Sequence, residues 1–93
     1  MYYVISCVDK AGHAHVRAEN RPAHVDYLKA NIDHIVMAGP TTSEDGEAMT
    51  GSVLIMEYDS LADAQAFADG DPYKAAELFE SVTIRPWKKV LPA

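Results

Sequence analysis

The stretch YYVISCV, residues 2–8, decides how the fold is read. Its aromatic and β-branched residues suit an extended strand. Alternation along a strand puts Tyr3, Ile5 and Cys7 on one face and Tyr2, Val4 and Val8 on the other. A strand with one face in water alternates apolar with polar residues, and this one is apolar on both. SVLIMEY, residues 52–58, repeats the pattern, with Val53 and Ile55 opposed to Leu54, Met56 and Tyr58. A sheet built from such strands needs cover on both faces.

Working outward, residues 9–15, DKAGHAH, read as a loop that continues through Arg17. In NRPAHVDYLKANIDHI, residues 20–35, the spacing of Val25, Leu28, Ile32 and Ile35 predicts a helix. Pro22 fits the first helical position, where its missing N–H costs nothing, so Asn20 or Arg21 falls at the cap. HIVMAG is a second, short strand stopped by Gly39-Pro40, and the polar run PTTSEDGEAMTG, residues 40–51, is the longest loop. After the third strand, Ser60 caps a helix with Leu61, Ala64, Phe67 and Ala68 as its apolar stripe. Asp63 stands near that helix's positive end. Asp69-Gly70 ends this helix, and Asp71-Pro72 starts another carrying Ala75, Leu78 and Phe79. SVTIRPWKKV, residues 81–90, is the fourth strand, and Pro86 within it implies an edge or a bulge.

The order strand, helix, strand, strand, broken helix, strand is the split-βαβ, ferredoxin-like arrangement. It predicts an α+β fold with a four-stranded antiparallel sheet and the helices on one face. Two helices cover one face only, so a second copy of the chain, sheet against sheet, is expected on the other.

Ninety-three residues make a single domain, 1–93, with a modest core. The net charge of −6 argues against a partner with a phosphate backbone, so nucleic acid is not expected. Arg85 and Trp87 in the short basic run RPWKKV read as a sheet edge with a packed tryptophan. Cys7 is the only cysteine, which excludes an intrachain disulfide and suits a reducing compartment. Its apolar surroundings predict a buried strand residue and not a nucleophile. The apolar start lacks the basic residues and cleavage site of a signal peptide. No apolar run approaches the ~18–20 residues that span a bilayer. A cytoplasmic location without membrane attachment is expected. His13 and His15 lack a third ligand at recognisable spacing, so no metal is expected, and no dinucleotide or phosphate-binding fingerprint implies a cofactor.

Two residues invite a chemical reading. His24 falls in the first turn of its helix, beside the apolar stripe. The positive end of a helix disfavours an imidazolium and a nearby carboxylate favours one, a balance that suits a general base. Asp71, as a cap, can spare an oxygen for an imidazole N–H. Taken one by one, these residues equally fit an ordinary surface histidine and an ordinary Asp-Pro cap. Arg17 and Arg21 can hold an anionic oxygen or form surface salt bridges. Tyr73 can donate its hydroxyl or simply pack, and Ser52 can line a pocket or serve a Gly-Ser turn.

MYYVISCVDK, RPAH, AGP, GSVLIMEYDS, AQAFADGDPY and RPWKKV, in this order over nearly the whole chain, resemble the YCII-related (YciI-like) family. The resemblance implies a ferredoxin-like fold paired into a dimeric α+β barrel, with a His–Asp pair as the suspected active site. RPAH places the histidine at His24 and DPY the aspartate at Asp71. Arg21 falls within the family's motif and Arg17 in the loop leading to it, so both join Ser52 and Tyr73 as candidate substrate-binding residues. One relative type is a cofactor-free dehydrochlorinase acting on a chlorinated hydroxyhydroquinone. The expected function is therefore cofactor-free acid–base chemistry, elimination or isomerisation, on a small oxygenated cyclic or aromatic metabolite. The alternative is a non-catalytic dimer that binds a small ligand or regulates a partner.

Overall fold

A computed structural model describes residues 1–93. The chain runs β1 (Tyr2–Asp9), α1 (Ala14–Ala30), a single 3₁₀ turn (Ile32–His34), β2 (Ile35–Thr42), β3 (Met49–Glu57), α2 (Leu61–Asp69), α3 (Pro72–Ala75) and β4 (Phe79–Trp87). The four strands form one antiparallel sheet in the order β2-β3-β1-β4. That is the predicted ferredoxin-like α+β topology. Both proline-bearing strands, β2 and β4, are at the edges, where a missing N–H removes no ladder bond. No helix is long and apolar enough to cross a membrane.

The core lies between the helices and one sheet face. Ile5, Cys7, Leu54 and Met56 rise from the central strands to meet Phe67 and Ala68 of α2, with Tyr27 and Leu28 of α1 closing the side. The alternation read from residues 2–8 holds, since Tyr3, Ile5 and Cys7 are the buried members of β1. Burial pushes the Cys7 thiol up to about 12, with Asp71 and Asp9 adding to the effect. Ser60 caps α2 as expected, accepting the Asp63 N–H at 3.2 Å.

Several boundaries differ from the expectation. Helix α1 begins at Ala14, so Arg17 is helical, Pro22 is internal, and His24 sits mid-helix instead of in the first turn. An internal proline costs about 3 kcal/mol. Here the opening turns are held by tertiary contacts of Arg17, described below. Their core-facing residues are polar, so an apolar periodicity does not report them. Strand β2 continues through Gly39-Pro40 to Thr42, an extension that its edge position permits. The β2–β3 connection thereby shrinks to residues 43–48, where Ser43, Asp45, Glu47 and Ala48 are joined by hydrogen bonds of 2.6–3.0 Å. Phe79 opens β4 instead of closing α3.

At Gly51 the strands approach so closely that a Cβ would run into the Cys7 carbonyl and lie 2.8 Å from Thr41 Oγ1. Gly51→Ala should therefore lower stability by about 1–3 kcal/mol in urea unfolding, the usual cost of overpacking. Cys7 should resist Ellman's reagent at pH 8 in the folded protein and react fully once urea unfolds it.

Candidate active site

The polar stripe of α1 builds the site. Arg17, Arg21, His24 and Leu28 recur at spacings of three and four and so share one face of the helix, turned toward the sheet and α3. A buried polar side chain needs a partner, and each of the two buried members has one. Arg17 donates through Nε and Nη2 to the two carboxylate oxygens of Asp9, at 2.7 and 2.9 Å, and through Nη2 to Ser52 Oγ at 3.1 Å. The Arg17 and Asp9 side chains are only 7% and 8% exposed. Burial alone would lower the Arg17 guanidinium, but the Asp9 pair outweighs it and holds the group above its ordinary range.

His24 is equally enclosed. Its Nδ1–H donates to Asp71 Oδ1 at 2.9 Å, and both residues are buried. The same oxygen accepts the Tyr73 backbone N–H at 2.9 Å, which is the cap of α3, with Pro72 in the first helical turn. Capping and imidazole orientation thus converge on one atom, where two separate oxygens were expected. With Nδ1 engaged, the neutral tautomer carries its lone pair on Nε2, which has no protein partner. The imidazole stacks on the Tyr73 ring, with centroids 4.0 Å apart and planes 15° apart. The Arg17 guanidinium lies 4.7 Å from the centroid of the same ring. Burial pushes the Tyr73 phenol above its ordinary value, with Arg17 and Arg21 working against it, so it is a neutral O–H at pH 7.

These side chains border a cleft of about 170 Å³ between α1 and the β2–β3 side of the sheet. Arg17, Arg21, His24, Ser52 and Tyr73 supply its polar wall, while Val25, Leu28, Leu54, Pro40 and Met49 supply the apolar one. Of the six residues singled out in the sequence, five line this cleft and Asp71 stands directly behind His24. Sequence reasoning missed the part played by Asp9. Its signal was the alternation itself. Continued past Tyr3, Ile5 and Cys7, it puts Asp9 on the covered face, where a carboxylate requires a counter-charge. His13 and His15 stay outside, their rings 6.1 Å apart, and no group of three or more His, Cys, Asp or Glu is arranged to hold a metal ion.

A ferredoxin-like α+β domain with a buried imidazole–carboxylate pair on the wall of a small cleft defines the class of protein. Within that class the chain belongs to the YCII-related domain family, which it matches over residues 1–88. It is 42% identical to Protein YciI of Escherichia coli O6:H1 over a 97-residue alignment covering 97% of this chain and 99% of that one. Its fold superposes with a TM-score of 0.87 and 37% identity on the 5-chloro-2-hydroxyhydroquinone dehydrochlorinase of Burkholderia phenoliruptrix AC1100. That match covers 95% of this chain and 94% of the dehydrochlorinase, whose structure is a complex with 2,5-dihydroxybenzoquinone. A protein of Agrobacterium tumefaciens shares the fold alone, at a TM-score of 0.58 and 18% identity, over 100% of this chain and 97% of its own.

The Asp9–Arg17 pair makes a stability prediction. Asp9→Ala strands a buried guanidinium and should cost about 3–5 kcal/mol in urea unfolding. The double change Asp9→Leu with Arg17→Met should recover most of that loss, because an apolar pair leaves no charge unpaired.

Proposed function

We propose that the chain is a cofactor-free enzyme in which His24 moves a proton on a small oxygenated cyclic or aromatic metabolite. The observation that carries this reading is the buried His24–Asp71 hydrogen bond beside a cleft, with Nε2 left unpartnered. Asp71 fixes the tautomer and stabilises the imidazolium that forms, so Nε2 is the general base. Removing a proton beside a ring oxygen leaves an electron pair delocalised onto that oxygen. Expulsion of chloride from the ring completes an elimination, and return of the proton at another carbon completes an isomerisation. Hydrogen-bond donors in the cleft, Ser52 and Tyr73 with Arg17 against them, would steady the negative oxygen. The 37% identity to a dehydrochlorinase favours elimination as the first reaction to assay.

Chloride release from 5-chloro-2-hydroxyhydroquinone, followed with a chloride electrode, tests the reading. His24→Ala should lower kcat about 10²–10⁴-fold, the range of general-base catalysis. Asp71→Asn should also lower it strongly while leaving the unfolding midpoint nearly unchanged, because Asn and Asp cap equally well. Turnover that survives both substitutions would refute the proposal. Binding of 2,5-dihydroxybenzoquinone with no turnover of any ring would favour the non-catalytic, ligand-binding alternative.

We also propose that two chains pair through the sheet face remote from the helices. Tyr2, Val4, Val8, Met37, Val53 and Ile55 share that face, with Met37 61% and Val8 46% exposed in the single chain. Such an exposed, largely apolar surface is the kind that a second copy covers. Light scattering on the wild type should give the mass of two chains, and Val53→Lys should give the mass of one. A wild-type mass of one chain would overturn the pairing.

A further inference from the structure

The cleft's two arginines stand in opposite electrostatic conditions. Arg17 is already neutralised, because both carboxylate oxygens of Asp9 accept its N–H groups at 2.7 and 2.9 Å. His24 is likewise backed by the Asp71 carboxylate at 2.9 Å. Arg21 makes no side-chain hydrogen bond and no ion pair; the ion pairs join Arg17 to Asp9, His24 to Asp71 and Lys74 to Asp69. No aspartate or glutamate lines the cleft. In a chain of net charge −6, Arg21 is therefore the one guanidinium of the cleft wall with no carboxylate partner, and it stands at the solvent-exposed edge.

Size and lining narrow the occupant further. A cavity of roughly 150 Å³ lined by apolar residues holds one benzene ring. The present cleft, at about 170 Å³, offers Val25, Leu28 and Leu54 on one side and polar donors on the other. Ser52 Oγ uses a lone pair on the Arg17 N–H, so its own hydroxyl hydrogen is free to point into the cleft. Lone-pair acceptors on the ligand suit that donor.

We infer that the site selects a single-ring organic anion, a ring carrying a carboxylate or phenolate that pairs with Arg21 while an oxygen elsewhere on the ring faces Ser52 and His24. Arg21 is the specificity-determining residue, and Arg17 is a positioning residue held by Asp9. This inference rests on the proposal that the His24 cleft is the substrate site, and it adds the charge and size of what enters. A guanidinium is suited to this task because its planar donors match a carboxylate edge-on.

Calorimetric titration with 4-hydroxybenzoate and 4-hydroxybenzamide, which differ in charge and little in shape, tests it. The wild type should bind the benzoate about tenfold or more tightly than the amide. Arg21→Gln, at an exposed position, should bring the two within about twofold, and Arg21→Lys should restore part of the difference. His24→Ala should keep the preference, which separates this inference from the catalytic proposal. Loss of turnover with the preference intact would leave charge selection standing alone. Equal binding of the two probes, a preference that survives Arg21→Gln, or no binding of 4-hydroxybenzoate at millimolar concentration would overturn it.

Discussion

A helix that turns arginine and histidine toward a sheet has to find counter-charges for them, and the rest of this small fold is arranged around that requirement. The partners come from two separate places in the chain. Asp9 arrives at the end of β1 and takes Arg17, while Asp71 arrives at the start of α3 and takes His24. Each pair therefore crosses between secondary-structure elements and fixes their relative position. The break between α2 and α3 is part of the same solution. A single continuous helix would carry Asp71 in its interior with no orphan N–H to accept, whereas the break at Gly70 makes it a cap whose Oδ1 also reaches the imidazole. At Gly70, where α2 ends, a Cβ would fall 2.5 Å from the Tyr27 hydroxyl, so the break lies directly against a side chain of α1.

How much of this was legible in the sequence follows from which forces wrote it. The strands were readable from their aromatic and β-branched residues, and the order of strands and helices carried the topology. The cap at Ser60 and the Asp71-Pro72 start were readable because helix termini use few residue types, each for a local reason. The first eight residues of α1 were not readable. Their side chains on the cleft face are the buried Arg17 and the exposed Arg21, and Pro22 follows at once with what reads as a start signal. Local propensity favoured a helix beginning at Pro22, and tertiary ion pairing overrode it. The same misplacement removed the helix-terminus argument about His24, since mid-helix the macrodipole has little local effect. What orients the imidazole is the carboxylate and the Tyr73 ring, both supplied from α3.

The site residues divide along the same line. His24 and Asp71 each had an adequate structural explanation, and only the family resemblance joined them, because pairing between residues 24 and 71 leaves no trace in local pattern. Ser52 and Asp9 differ. Both lie on the covered face by simple alternation, Ser52 with Leu54 and Met56, and Asp9 with Tyr3, Ile5 and Cys7. A polar residue in register with a buried apolar row is a physical anomaly in the sequence itself, and in both cases it marks the Arg17 network.

Strand β3 links the proposed chemistry to the proposed assembly. Its even-numbered residues Ser52 and Leu54 line the cleft, and its odd-numbered residues Val53 and Ile55 lie on the opposite, uncovered face. A strand has one backbone and cannot shift one set of side chains without the other. Covering Val53 and Ile55 with a second sheet would hold β3 against β1 and so hold Ser52 against Arg17, whose 3.1 Å bond depends on that distance. The β2 edge, which supplies Pro40 to the cleft, is bonded only to β3 and is exposed almost throughout, so it gains most from such support. On this reasoning the two-faced apolar strands from which the fold was first read serve the cleft as much as the core. In the proposed pair they would let a second copy cover the sheet and so keep a polar network rigid on the other side.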